Sequence, residues 1–171
     1  VYFSIDDILE KAKKLSESPF IVILDGIEDP HNLGAIIRTA ECGGVHGIII
    51  PKRRAAHVTS TVYKSSAGAV EHMMIAKVNN ISDTIEELKE KGLWIYGADA
   101  DGEEYYFNTD LKGPIALVIG NEGKGISRLV KEKCDFLLKI PMYGKVSSLN
   151  ASNAASILIY EVVKQGYEKK K

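Results

Sequence analysis

The stretch Ile115-Ala116-Leu117-Val118-Ile119-Gly120-Asn121-Glu122-Gly123-Lys124-Gly125-Ile126-Ser127 runs from an unbroken apolar segment into a turn carrying three glycines, and Ser127 opens a helical pattern to Lys133. A short apolar run without polar alternation marks a strand buried on both faces, as in a parallel sheet. Two other stretches repeat the arrangement. Phe20 to Leu24 leads through Asp29-Pro30-His31-Asn32 into Leu33, Ile36, Ile37 and Ala40, spaced i, i+3, i+4, i+7 as on one helix face. Phe136 to Ile140 leads through Pro141-Met142 and Ser147-Ser148-Leu149 into a helix from Asn150 to Gln165. In an open parallel sheet such turns share one edge, where ligands bind. Three unusual turns on one edge point to a single site.

The remaining segments fit the same plan. Ser4 predicts a helix cap, followed by apolar spacing to Leu15. Gly47 to Ile50 reads as a strand ended by Pro51, and Ala55 to Ser66 as a helix with Ser60-Thr61 its weakest part. Gly68 to Val78 reads as a strand interrupted by Glu71 and His72; Ser82 caps a further helix, and Leu93 to Ala98 is strand. Residues 99–110 form an acidic, aromatic loop holding Tyr105, Tyr106 and Phe107, which either stack bases or pack. Strands alternating with helices predict an α/β fold, a parallel sheet with helices on both faces. The 171 residues suit one domain, residues 1–171, without internal repeat or linker.

Formal net charge is −1, so a polyanion-binding surface must be local. Lys52-Arg53-Arg54 and Lys169-Lys170-Lys171 are the candidate tracts. Cys42 and Cys134 form no CxxC pair and are expected to be reduced thiols, with Cys42 packed in a helix. Apolar runs fall well short of the roughly 18 residues that span a bilayer. With no secretory segment in view, the expected location is the cytoplasm.

The turn at 119–127 is not a triphosphate loop, because Gly125 is followed by Ile126 and the lysine is misplaced. Its glycines also miss the dinucleotide GxGxxG spacing. What remains is a glycine-rich turn around one carboxylate, Glu122. Its backbone can approach a ligand closely, which suits an adenine or ribose edge. Asn32 stands either as the cap of its helix or as a site residue. Arg38, six residues on, offers a planar clamp for phosphate or carboxylate. Ser147 and Ser148 lack the Gly-x-Ser-x-Gly setting of a hydrolase nucleophile. The histidines at 31, 46, 57 and 72 show no metal-ligand spacing, and no metal is expected; His31 alone falls inside a site turn. Small side chains on nearly every face of the last helix imply close packing against another helix or a symmetry mate.

Together the three turns closely resemble the signature motifs of the SpoU-type RNA 2′-O-ribose methyltransferases of the SPOUT superfamily, from about Phe20 to Glu161. Also similar are His46 to Pro51 and Ser66-Ala67-Gly68-Ala69. Among them the chain looks most like enzymes that methylate a guanosine of 23S ribosomal RNA, which usually carry a small RNA-binding domain ahead of the catalytic one; no such domain is present in this sequence. The resemblance implies a C-terminal trefoil knot over roughly Ile115 to Tyr160, contrary to general topology rules. It implies a bent S-adenosyl-L-methionine against Gly120, Ile140 and Leu149, with Asn121, Met142 and Ser147 as neighbours. Asn32, Arg38, Glu122, Ser148 and Asn150 form the catalytic constellation so implied. The implied partners are RNA and a second copy through the knot region, with neither membrane nor metal. Alternatives are a transfer-RNA substrate or a non-catalytic RNA-binding module of the same fold.

Overall fold

A computed structural model of the chain describes residues 1–170, with side chains to residue 167. Ser4 caps α1 (Ile5–Lys14) reciprocally: its hydroxyl accepts from the Asp7 amide at 3.1 Å and the Asp7 carboxylate accepts from the Ser4 amide at 2.9 Å. That pairing holds the Asp7 carboxyl below its ordinary range. The strands are β1 (Phe20–Asp25), β2 (Gly47–Pro51), β3 (Met74–Val78), β4 (Trp94–Ala98), β5 (Glu104–Tyr105), β6 (Ile115–Gly120) and β7 (Phe136–Lys139). All seven join one parallel sheet, ordered β3-β2-β1-β6-β4-β7-β5.

The central strands alternate between two cores. Phe20, Val22 and Leu24 of β1, with Ile115, Leu117 and Ile119 of β6, face α2 (Pro30–Cys42), α3 (Ser60–Ser65) and α6 (Ala151–Lys170). Ile21, Ile23, Ala116 and Val118 face the other way, toward α1, α4 (Ile81–Glu90) and α5 (Arg128–Lys133). This is the predicted parallel sheet clothed on both faces.

Several expected boundaries move. Residues 52–59 are loop and only Ser60–Ser65 is helical, so the segment expected to be weakest is the helix. Thr59 supplies the cap, its hydroxyl accepting from the Val62 amide at 3.4 Å. Gly68, at φ 79°, turns the chain into a 3₁₀ turn at Ala69–His72 before β3. Asn80, not Ser82, caps α4 through the Asp83 amide at 3.0 Å, and Ser82 is buried inside that helix. Cys42, expected to be packed, is exposed at the end of α2. His46 is buried and structural. Its Nδ1 accepts from the Phe20 amide at 2.9 Å, so Nε2 carries the proton and donates to Glu17 at 2.8 Å, pinning the starts of β1 and β2 together.

The small residues of α6 meet α2. Thr39 and Ser156 hydroxyls are 3.1 Å apart, and a β-carbon at Gly43 would lie 2.9 Å from the Ile159 side chain. On its other flank α2 meets α3. A β-carbon at Gly34 would overlap the Ser65 hydroxyl and sit 2.7 Å from Ser65 Cβ. In an open helix, glycine to alanine would stabilise by about 1 kcal/mol; here overlap reverses the sign. Gly34→Ala is expected to lower unfolding free energy by about 1–3 kcal/mol, read as a lower urea midpoint, and an unchanged or higher midpoint would contradict that packing.

Candidate active site

Parallel strands deliver the turns after β1, β6 and β7 to the same sheet edge. β1 and β6 pair along their length, ending Leu24 beside Ile119 and Asp25 beside Gly120. Two hydrogen bonds then join their turns. The Asp25 carboxylate accepts from the Ser127 amide at 2.7 Å, and the Asn121 side chain donates to the Gly26 carbonyl at 3.5 Å. Sequence reading passed over Asp25 and Gly26. Their only signal is a carboxylate closing an apolar strand, followed by glycine; Gly26 adopts φ 84°.

Asn121 organises its own turn. Its Oδ1 accepts from the Gly123 amide at 2.8 Å and the Lys124 amide at 3.1 Å, while its carbonyl accepts from Gly125 at 2.6 Å. The turn folds back so tightly that a β-carbon at Gly120 would overlap the backbone of Gly125 and Ile126. Only glycine fits there. Glu122 stands exposed at the tip.

The third turn is built differently. From Pro141 to Leu149 no backbone group finds a hydrogen-bond partner among the described residues. Ile140, Pro141 and Leu149 are half-buried, whereas Met142, Ser147 and Ser148 are exposed. The backbone of residues 142–148 is exposed, so its amides and carbonyls are open to a ligand as well as to solvent. The turn ends where Asn150 caps α6: its Oδ1 accepts from the Ser152 amide at 2.9 Å and its carbonyl from the Ala154 amide at 3.0 Å.

Asn32 is not a cap. Asp29 caps α2 through the His31 amide at 2.8 Å, leaving Asn32 buried in the first turn beside Leu33 and Gly34. His31 is exposed there. Arg38 lies six residues further along the helix, about 9 Å by the rise of 1.5 Å per residue. It is exposed, and no hydrogen bond or ion pair joins it to Glu122, Ser148 or Asn150. The edge therefore gathers Gly120, Asn121, Glu122, Ile140 to Asn150 and Asn32, with Arg38 under two turns away along α2.

Two groups with raised pKa among the described residues, Cys134 and Tyr96, are engaged elsewhere. Burial pushes the Cys134 thiol up to about 12, and its Sγ donates to the Val130 carbonyl at 3.4 Å, so it is no nucleophile. Burial likewise raises Tyr96, whose hydroxyl donates to the Asp110 carbonyl at 2.9 Å. A groove between α1 and β3, lined by Phe3, Leu15 and Met74, shares no residue with the three turns.

Residues 19–160 match the SpoU rRNA Methylase family. Over 164 residues the chain is 57% identical to the Bacillus subtilis protein YacO, assigned to the TrmH family of tRNA/rRNA methyltransferases, covering 96% of this chain and 66% of that protein. It thus spans about two thirds of that relative's length. Among solved structures, AviRb, a SpoU methyltransferase from Streptomyces viridochromogenes in complex with AdoMet, superposes with a TM-score of 0.80 at 35% identity, covering 88% of this chain and 59% of that one. The A. aeolicus TrmH/SpoU tRNA modifying enzyme gives 0.83 at 29% identity, covering 96% and 86%.

The Asp25 tie gives a direct test. Asp25→Ala removes a hydrogen bond to a charged acceptor, worth about 1.5–3 kcal/mol. Amide exchange at Ser127 and in the 121–126 turn is expected to speed up while the β1–β6 ladder stays protected; unchanged exchange at Ser127 would contradict the tie. The chain belongs to the SpoU rRNA Methylase family.

Proposed function

We propose that this chain methylates a ribose 2′-hydroxyl of RNA, using S-adenosylmethionine, with a guanosine of 23S ribosomal RNA as the target. The observation that carries the reading is the joining of the turns after β1 and β6 at one sheet edge, beside a third turn with unpaired backbone. The donor set fits the cofactor. Gly120, Asn121, Ile140, Met142, Ser147 and Leu149 are its proposed seat. The tight bend at Gly120 admits close backbone approach, and the 141–149 segment offers amides and carbonyls to the adenosine. When bound, S-adenosylmethionine supplies a methyl group already activated by a sulfonium sulfur, so we propose that no metal takes part.

The chain's residues then position the hydroxyl and manage its proton. A guanidinium offers hydrogen-bond donors and no acceptor, so Arg38 serves as a clamp and not as a base. Its exposed guanidinium clamps the substrate phosphate and stabilises the developing alkoxide, while phosphate or solvent takes the hydroxyl proton. Asn32 and Glu122 orient the substrate and the 120–126 turn. Ser148 faces the ribose, and Asn150 anchors the loop through its cap of α6.

A second copy completes the site in this reading. Met142, Tyr143 and Val146 project from the loop, Tyr143 at 98% and Val146 at 77% exposure. Apolar side chains so displayed favour an interface, and a homodimer through this region brings a second set of α2 residues to it. The trefoil knot over Ile115 to Tyr160 belongs to the same proposal, as do a single catalytic domain and a cytoplasmic setting. Transfer RNA is the second reading, favoured by the TM-score of 0.83 to the A. aeolicus tRNA modifying enzyme.

Mapping 2′-O-methylation in cells with and without the gene is expected to show one ribosomal guanosine losing its mark; loss confined to transfer RNA would select the second reading. With the RNA so identified, Arg38→Ala is expected to lower turnover about 10²–10³-fold while calorimetric affinity for S-adenosylmethionine stays unchanged. Near-normal turnover would refute the assigned role.

A further inference from the structure

Catalysis leaves one charged feature of this edge unused. Lys52, Arg53 and Arg54 follow directly after β2, the strand paired with β1, so they stand at the same sheet edge as the three turns. All three are exposed. The second basic tract, Lys169 to Lys171, lies outside the residues whose side chains are described.

The loop that carries them is fastened. The Lys52 amide donates to the Val78 carbonyl at 2.9 Å, and the Ala56 amide donates to the Ile27 carbonyl at 2.9 Å, in the turn that enters α2. Further on, the Val58 amide donates to the Tyr2 hydroxyl at 3.3 Å. Between these ties Arg54 holds φ 56°, in the left-handed region that a β-carbon disfavours. Such strain persists where surrounding structure over-determines it, and it gathers at ligand clamps.

Ion pairs engage five lysines, while other described cations, Lys11, Lys13 and Lys14 among them, have none. Lys91, Lys112, Lys131 and Lys133 lie 3.1–3.3 Å from Asp6, Asp110, Asp99 and Glu86, and Lys89 lies 3.7 Å from Asp135. Among the described residues none of Lys52, Arg53 or Arg54 has an ion-pair partner. The adjoining turn carries two exposed acids, Glu28 and Asp29; Asp29 accepts from the His31 amide, and neither forms an ion pair with the basic loop. Lys64 adds a fourth exposed cation on α3, which is locked to the start of α2 by the Ser65 hydroxyl donating to the Pro30 carbonyl at 3.3 Å. A chain of net charge −1 thus keeps three adjacent, mutually repelling cations unpaired beside its site.

We propose that Lys52, Arg53 and Arg54 form a phosphate clamp that holds the RNA backbone beside Asn32. The substrate strand runs along the C-terminal ends of β2 and β1 into the turns after β6 and β7. Such contacts set register and orientation without reading sequence. The inference rests on the reading of the site as an RNA methyltransferase.

The test is fluorescence anisotropy of a labelled single-stranded RNA of mixed sequence, titrated at several salt concentrations, with calorimetry of S-adenosylmethionine alongside. Each phosphate neutralised contributes about −0.7 to the slope of log K against log salt, so the triple variant Lys52→Gln/Arg53→Gln/Arg54→Gln is expected to flatten the slope by about 2. The control Lys11→Gln/Lys13→Gln/Lys14→Gln, at the end of α1, is expected to keep the parent slope, and neither variant alters the calorimetric heat. An unchanged slope in the loop variant, equal losses in both variants, or no RNA binding by the parent chain would overturn the clamp. RNA binding that behaves as expected in a chain giving no heat with S-adenosylmethionine leaves the clamp standing and defeats the cofactor reading instead.

Discussion

The 2.7 Å hydrogen bond from the Ser127 amide to the Asp25 carboxylate is the constraint on which the site depends. β1 and β6 lie side by side in the centre of the sheet and end in register. Parallel pairing alone would bring their turns to one edge and leave them independent. The carboxylate at the end of β1 and the glycine at the end of β6 turn proximity into one folded unit. Asp25 reaches past its own strand to hold the far end of the next turn. Gly120 lets that turn lie flat on its own backbone. Everything proposed for a methyl donor requires this junction to be formed before the donor arrives.

The edge divides its work between backbone and side chains. The turn after β6 is internally satisfied, with Asn121 spending its side chain on neighbouring amides and on Gly26. The segment after β7 is the opposite, a stretch with unspent backbone groups that ends in a capped helix. A turn fixed by its own hydrogen bonds stands beside a loop with open backbone, and the proposed nucleoside binds between them through its edges. Substrate chemistry falls to side chains on α2 and to the cations after β2. Both stand on elements fixed by packing: α2 is wedged between α3 at Gly34 and α6 at Gly43.

The strand-to-helix plan was legible because β1, β2, β4 and β6 are mainly buried runs without polar alternation, and the two-core alternation of β1 and β6 follows from it. Positions where a local competitor wins were not legible. Asn32 looks like a cap until Asp29, three residues earlier, takes that role. The weak-looking Ser60-Thr61 is helical because Thr59 caps it, while the basic loop before it is tied to Ile27 and Val78 instead. Asp25 was invisible because a single carboxylate at a strand end has no pattern; its partner lies 102 residues away. The segment expected as an aromatic loop holds β5 and a 3₁₀ turn at Tyr106–Asn108, and its rings touch one another while Tyr105 and Phe107 stay exposed. Tyr105 stacks on Phe107 with centroids 5.4 Å apart, and Lys139 sits 4.5 Å over the Tyr105 ring. Arg38 was legible as a residue type, yet its distance along α2 from the joined turns follows only from the helix itself.

The most direct measurement is a crystal structure of the chain with S-adenosylhomocysteine, the demethylated donor. The account predicts the ligand lodged between the 120–126 turn and residues 140–149, with its adenosine hydrogen-bonded to backbone of the latter and the Asp25–Ser127 bond intact. Ligand bound elsewhere, or seated there with that bond broken and the two turns drawn apart, would contradict it.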